Sequence, residues 1–371
     1  MNKLIKISFL AIFCFSHYSW ADVEESRAIF DESFSWKTPE GTDKLLLRIK
    51  RAGFNVLIPR VWVGEGTYWP SKIAPVTRNW NIKAGVKYDP LENLIIKAHA
   101  LGIEVHPWFT VMTRWRKFYN QFYDSGTPKN AFDVHNPEFR HFIVELMLEV
   151  VKKYDVDGIN LDVIRSRGFC RSRSCQLDYQ IKFGRDLLKD LETYHNTNHF
   201  IVEQTEAWSV LREWNRQAVS DIVRKFSDQA KVISPELIVS VDTIVLIEDF
   251  NIQGADAILW ANKGWVDVIY QMDYVKKPRL ALLKKAREKL NDKQSLVLLT
   301  GNVDWPEDDQ GRGKEAFSRN PQLTANLLDL SRNLWVGGNG VAMWTYGFLT
   351  EEQINSIASG PFREPAFPGW F

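Results

Sequence analysis

Three aspartates close three short apolar runs of this chain: Asp162 in Gly158-Ile159-Asn160-Leu161-Asp162, Asp242 in Ser240-Val241-Asp242, and Asp273 in Gln271-Met272-Asp273. Carboxylates gathered at one end of a sheet can divide the work of hydrolysis. One stays ionised as nucleophile or base while another holds a proton. In the first run, period-two alternation sends Ile159, Leu161 and Val163 one way and Gly158, Asn160 and Asp162 the other. Arg165 follows closely enough to favour the charged form of Asp162, which makes Asp162 the leading candidate for the ionised group. Asp157, at the opposite end of the strand, reads as structural. In the third run Val268, Tyr270 and Met272 form one face, so Gln271 and Asp273 are expected to point inward together. Asp242 stands in the same relation to Ser240. Asp273 is preferred as proton donor, with Asp242 as the alternative.

His106 and Trp108 alternate with Val105, Pro107 and Phe109 and are expected to face the same interior, with Trp108 as a platform for a sugar ring. A core histidine bonded to a carboxylate is the other reading of His106. Asn160, Arg165, Gln271, Arg60, Tyr274 and Trp344 complete the expected substrate-binding set, as strand or strand-end side chains. The chain carries 15 tryptophans; most large aromatics are core, but flat indoles at strand ends and loop tips suit carbohydrate. The segment Arg114-Trp115-Arg116-Lys117-Phe118-Tyr119 reads either as the lining of a groove for an acidic or N-acetylated glycan or as a solvated loop.

These residues need a scaffold that brings strand ends together. Eight short runs read as strands: Arg27–Phe34, Val56–Trp62, Glu104–Val111, Gly158–Ile164, Leu237–Asp242, Val266–Tyr274, Ser295–Asn302 and Gly340–Phe348. Helical patterns lie between them at Pro39–Ala52, Asp89–Leu101, Asn136–Lys153, Trp208–Ile233, Pro278–Leu290, Pro321–Trp335 and Thr350–Ala358. The alternation predicts an α/β fold, a (β/α)₈ barrel in one domain over residues 22–371. Long polar loops follow the strands at Val63–Lys87, Met112–His135, Ser166–Thr205 and Val303–Arg319, where they would wall a site at the barrel mouth. A doubly wound sheet is the competing architecture, but the chain has no Gly-rich phosphate loop, which also argues against a nucleotide cofactor. No cofactor or metal cluster is expected. A net charge of +1 gives no footprint for nucleic acid or a membrane surface.

Lys3, Lys6, an apolar run from Ile5 to Phe15 and the Ser19-Trp20-Ala21 site read as a secretory signal over residues 1–21. The run is too short to span a bilayer, and Phe13 before Cys14 is too large for a lipidation site. Export to the periplasm or beyond leaves Cys170 and Cys175 as the two remaining cysteines, expected to join in a disulfide.

Several stretches, in order, resemble a known group. Arg27-Ala28-Ile29-Phe30, Ala52-Gly53-Phe54-Asn55, Tyr88-Asp89-Pro90-Leu91, Gly102-Ile103-Glu104-Val105-His106-Pro107-Trp108-Phe109 and Tyr154-Asp155-Val156-Asp157-Gly158-Ile159 with Asp162 resemble motifs of the bacterial glycosyl-hydrolase-like family 10. Trp214-Asn215-Arg216 and the stretch Asp267 to Gln271 extend the likeness. The resemblance implies a (β/α)₈ barrel that cleaves a bacterial glycan, either the glycan strand of peptidoglycan or an exopolysaccharide. A donor on strand six resembles one group of retaining glycosidases, and one on strand five resembles the amylase pattern. The chain departs from the family at Val163, where the family has a second Asp, at Asn160, where it has His, and at Asp273, where it has an aromatic. The missing acid keeps a second reading open, a non-catalytic glycan-binding barrel of the cell envelope. The expected polysaccharide partner is common to both.

Intact-mass analysis of periplasmic material should show loss of the first 21 residues and of two further hydrogens. Two alkylatable thiols in the unreduced protein would contradict the second half.

Overall fold

In a computed structural model the described residues are 23–77, 88–115, 117–198, 201–291, 295–306, 315–333 and 340–370. The expected signal segment lies outside them. The strands are β1 Ser26–Asp31, β2 Val56–Trp62, β3 Glu104–Val105 resuming at Trp108–Thr110, β4 Gly158–Asp162, β5 Ile238–Thr243, β6 Val268–Met272, β7 Ser295–Gly301 and β8 Gly340–Trp344. Pro107 lacks an N–H for the ladder, and β3 is interrupted there. Each strand pairs in parallel with the next, and Ala342 of β8 lies opposite Ala28 of β1, which lies opposite Val56 of β2. The sheet is closed. It is an eight-stranded parallel barrel with helices outside.

The helices are α1 Pro39–Ala52, α2 Pro90–His99, α3 Pro137–Lys153, α4 Arg173–Phe183, α5 Leu187–Asn196, α6 Glu206–Ile233, α7 Glu248–Asn251, α8 Ala257–Asn262, α9 Leu280–Arg287, α10 Pro321–Asn333 and α11 Glu351–Ser359. Asp89 and Asn136 accept the first free N–H groups of α2 and α3, with Pro at the first helical position of each. Gly53 ends α1 at φ 92°, a left-handed conformation open to glycine. The segment 166–205, expected as a loop, carries α4 and α5. The buried residues of α4 are only Cys175 and Tyr179, too few for a periodic apolar stripe to be legible.

The strands bury both faces. Ile29, Leu57, Leu161, Val241 and Ile269 pack outward against the helices. Ala28, Phe30, Ile58, Trp108, Val268, Tyr270 and Leu299 fill the inside. His106, Asn160 and Ser240 are fully buried polar groups among them. The floor is crossed by the segment that ends the described chain. Ala366–Phe367 pairs with Val23–Glu24, and Trp370 Nε1 donates to Glu104 Oε2 at 2.9 Å.

Close packing at the floor leaves no room for a side chain at Gly158. A Cβ there would stand 2.6 Å from His106 Nδ1 and 2.7 Å from the Ile238 carbonyl oxygen. Gly158→Ala should therefore destabilise the barrel by about 1–3 kcal/mol, read as a lowered denaturant midpoint with unchanged slope. Wild-type stability in this variant would contradict the packing described.

Candidate active site

The register of β4 against β5 places two acids side by side. Asn160 lies opposite Ser240 and Leu161 opposite Val241, so Asp162 and Asp242 stand next in line on neighbouring strands. Parallel strands run about 4.8 Å apart. Asp162 keeps some exposure at the mouth, whereas Asp242 is 3% exposed.

Their surroundings differ. Asp162 Oδ2 accepts from Trp108 Nε1 at 3.2 Å and Oδ1 from the Val163 N–H at 2.6 Å. Val163 has φ 50°, a left-handed conformation rare for a β-branched residue. Burial pushes the Asp162 carboxyl up, opposed by the Arg165 guanidinium, the Val163 N–H, Trp108 and Arg60. Asp242 Oδ1 accepts from Asn160 Nδ2 at 2.9 Å, and the same amide donates to Ser240 Oγ at 3.0 Å. Burial and then the negative charge of Asp162 hold Asp242 well above the ordinary carboxylate range, against Asn160 and Arg165. Opposed environments of this kind separate an acid from a base.

The rim carries a third acid. Glu32, just past β1, pairs with Arg60 at 3.1 Å, and the Arg60 guanidinium lies 5.2 Å from the Trp108 ring centre and 5.1 Å from that of Phe34. Burial raises the Glu32 carboxyl, Arg60 opposes that, and Asp162 adds to it. Tyr274 keeps its proton far above the usual phenol range through burial and the charges of Asp242, Asp162 and Glu32. Its ring lies 5.0 Å from Trp344, which stacks at 6.3 Å on the part-exposed Trp305. Arg165 sits over Phe250 at 4.3 Å. The result is an acidic centre with an aromatic shelf on one side and arginine on the other.

The structure brings Asp162, Asp242, Trp108, Arg165, Arg60, Tyr274 and Trp344 to the mouth of the barrel, with Asn160 fully buried one layer below and bonded to Asp242. Three expected side chains lie elsewhere. The inward strand face of β6 is Val268 and Tyr270, which leaves Gln271 and Asp273 on the outer wall. Gln271 Oε1 accepts from the Val245 N–H at 2.9 Å, and Asp273 Oδ2 accepts from the Arg279 N–H at 2.7 Å. The inward expectation for this pair is corrected: both tie loops to the wall. His106 does face inward, but at the level of Gly158, with Nε2 3.1 Å from Glu104 Oε2. It belongs to the floor. Trp108 is only 5% exposed, and its indole braces Asp162 instead of presenting a platform. Asp157 is structural as read, its Oδ2 accepting from the Val105 N–H at 2.8 Å.

Sequence reasoning missed Glu32 and Trp305. The alternation Ala28, Phe30, Glu32 carried the signal for the first; the second lies in a loop without periodicity. Cys170 and Cys175 form the expected disulfide, with Cα atoms 6.0 Å apart. The buried Asp133 carboxylate packs on it, Oδ2 lying 3.4 Å from Cys175 Sγ. These three groups form a candidate metal cluster among the described residues, but sulfurs joined to each other are not thiolate ligands.

Residues 29–303 match the family model described as glycosyl hydrolase-like 10. The chain belongs to that family. It is 26% identical over 214 residues to the glycosyl hydrolase DigH of Escherichia coli O6:H1, a match covering 51% of this chain and 44% of that protein. The match thus spans less than half the length of that relative. Among solved structures, the barrel is similar to the PgaB (BpsB) glycoside hydrolase domain of Bordetella bronchiseptica, with a TM-score of 0.58 and 11% identity over 88% of this chain and 95% of that one. It is also similar to α-L-fucosidase isoenzyme 2 of Paenibacillus thiaminolyticus, with a TM-score of 0.56 and 15% identity over 91% of this chain and 48% of that one. At these identities the structural likeness establishes the barrel fold and not a substrate.

Proposed function

We propose that this protein is an exported glycoside hydrolase that cleaves a bacterial glycan, a peptidoglycan strand or an exopolysaccharide, with Asp162 and Asp242 as its paired acids. The observation that carries the reading is their adjacent register combined with opposed surroundings. Asp162, flanked by Arg165, Trp108 and the Val163 N–H, is the ionised group. Asp242, buried beside that charge, is the protonated one. Acids on directly neighbouring strands favour the closer, retaining arrangement of about 5–5.5 Å between carboxyls over the wider inverting one. An Asp162 oxygen attacks the anomeric carbon as the glycosidic C–O bond breaks, and Asp242 gives its proton to the departing oxygen. Asp242, now ionised, takes a proton from water, whose oxygen displaces Asp162 from the sugar and restores both groups.

Supporting roles follow from position. Trp344 and Trp305 offer the sugar a flat apolar face. Tyr274, hydroxyl protonated, can donate to a sugar oxygen or to Asp162. The rival non-catalytic barrel draws on Val163 standing where the family has an acid, and the same experiment separates the two readings.

Rate should fall as pH drops through the Asp162 titration, because the nucleophile is lost, and again as pH rises through that of Asp242, because the donor is lost. Both carboxyls are raised, so the bell lies above the ordinary carboxylate range. Asp162→Asn should lose about 10³-fold or more in turnover with unchanged melting. Asp242→Asn should fail on poor leaving groups, keep much of its rate on activated aryl glycosides and respond to azide. Asp273→Asn should lose stability but not rate. Near-normal turnover in Asp162→Asn would favour the non-catalytic barrel, and the selective pattern in Asp273→Asn would return the donor role to β6.

A further inference from the structure

The loop that follows Asp162 carries Arg165, Arg167, Arg171 and Arg173. Arginines elsewhere are commonly ion-paired: Arg27 with Glu25, Arg140 with Asp221, Arg185 with Asp190, Arg319 with Asp304 and Arg332 with Glu25. Among the described residues, no carboxylate comes within 4.0 Å of the four on this loop. Arg165 covers Phe250. Arg167, exposed and at φ 59°, donates from Nη1 to Thr113 Oγ1 at 3.4 Å. Arg171 Nη2 meets His195 Nε2 at 3.0 Å. Arg173 is exposed in the first turn of α4, the end of a helix where a cation is disfavoured. Arg165 already faces the Asp162 charge, so Arg167, Arg171 and Arg173 are the cations left for an anion from outside.

The loop is also rigid. The disulfide closes it, and the Arg171 N–H donates to the Gly126 carbonyl at 2.8 Å. A Cβ on Gly126 would stand 2.4 Å from the Ser172 nitrogen, so the two loops are in backbone contact. The facing loop adds exposed Lys117 and Lys129. Of the two acids on the facing loop, Asp133 is buried on the disulfide, while Asp124 is exposed with its Oδ1 accepting from the Gly126 N–H at 2.8 Å. The guanidinium fork of N–H donors matches carboxylate or phosphate geometry, and the loop backbone that carries it is already ordered before binding.

We infer that this rim binds an anionic glycan, whose carboxylate- or phosphate-bearing units run from the Asp162–Asp242 pair along the disulfide-closed loop. The inference rests on the glycosidase reading of that pair and names its substrate class. A cationic amino-sugar polymer would be repelled from the same surface, and a neutral one would leave the arginines unused.

The test uses the Asp162→Asn protein on an array of bacterial polysaccharides that are neutral, amino-bearing, carboxylate-bearing or phosphate-bearing. Binding should be confined to the acidic ones and weaken about tenfold or more between 50 mM and 500 mM salt, as screening requires. An Arg167→Ser, Arg173→Ser double variant with unchanged melting should lose a further factor of about ten. Carbodiimide reduction of the glycan should abolish binding if the anion is carboxylate, and hydrofluoric acid treatment if it is phosphate. Equal retention of neutral or amino glycans, no retention of acidic ones, or indifference to the arginine changes would overturn the inference. Product analysis with the unmutated enzyme keeps the two readings apart. Acidic glycans bound but left intact would sink the hydrolase reading alone, and neutral glycans cleaved would sink this one alone.

Discussion

Two carboxylates at the ends of neighbouring strands, largely shut off from water, cannot both carry charge cheaply. At about 5 Å and an effective dielectric near 20, their repulsion is about 3 kcal/mol. The rest of the mouth is arranged around that cost. Arg165, the Trp108 indole N–H and the Val163 N–H all favour charge on Asp162, while Asp242 receives one amide donor and deep burial. The asymmetry is built by the sequence. Asn160 and Ser240, one layer below, are polar enough to hold Asp242 in place and small enough to fit the barrel.

The scaffold fixes these atoms by closing on itself. Because β8 pairs with β1, no strand has a free edge, and the inward positions form layers: His106 and Gly158 at the floor, Asn160 and Ser240 in the middle, Asp162 and Asp242 at the mouth. The left-handed Val163 ends β4 abruptly. Such a conformation costs about 1–3 kcal/mol, and it turns the Val163 N–H back onto Asp162. Asp242, on the neighbouring strand, is the acid next in line with Asp162.

Much of the barrel was legible in the sequence because it is written in short-range physics. Pro and Asn or Asp at helix starts, Gly at helix ends and β-branched runs between them marked α1 to its exact ends in residues, and α2, α3 and most strands to within a few. Which face of a strand looks inward was harder. On β6 both faces are buried, so Tyr270 and Met272 against Gln271 and Asp273 gave a phase without a direction, and polarity pointed the wrong way. The outward pair is polar because it binds loop backbone, not because it faces solvent or substrate. For His106 the direction was right and the height was not, since its partner Glu104 anchors it near the floor. Glu32 was readable by the same alternation that found Asp162. Trp305 became visible only through its stacking on Trp344, a tertiary contact no local pattern encodes.

The central claim is that Asp162 and Asp242 titrate as a coupled pair, with the proton on Asp242. Carboxyl-carbon NMR titration of the folded protein, labelled at aspartate and assigned with Asp162→Asn and Asp242→Asn, reads this without any substrate. Asp242 should hold its proton well above the ordinary carboxylate range. In Asp162→Asn it should titrate lower, yet remain raised, because the neighbouring charge is gone while burial persists. An Asp242 that titrates in the ordinary range, or one indifferent to Asp162→Asn, would contradict the account.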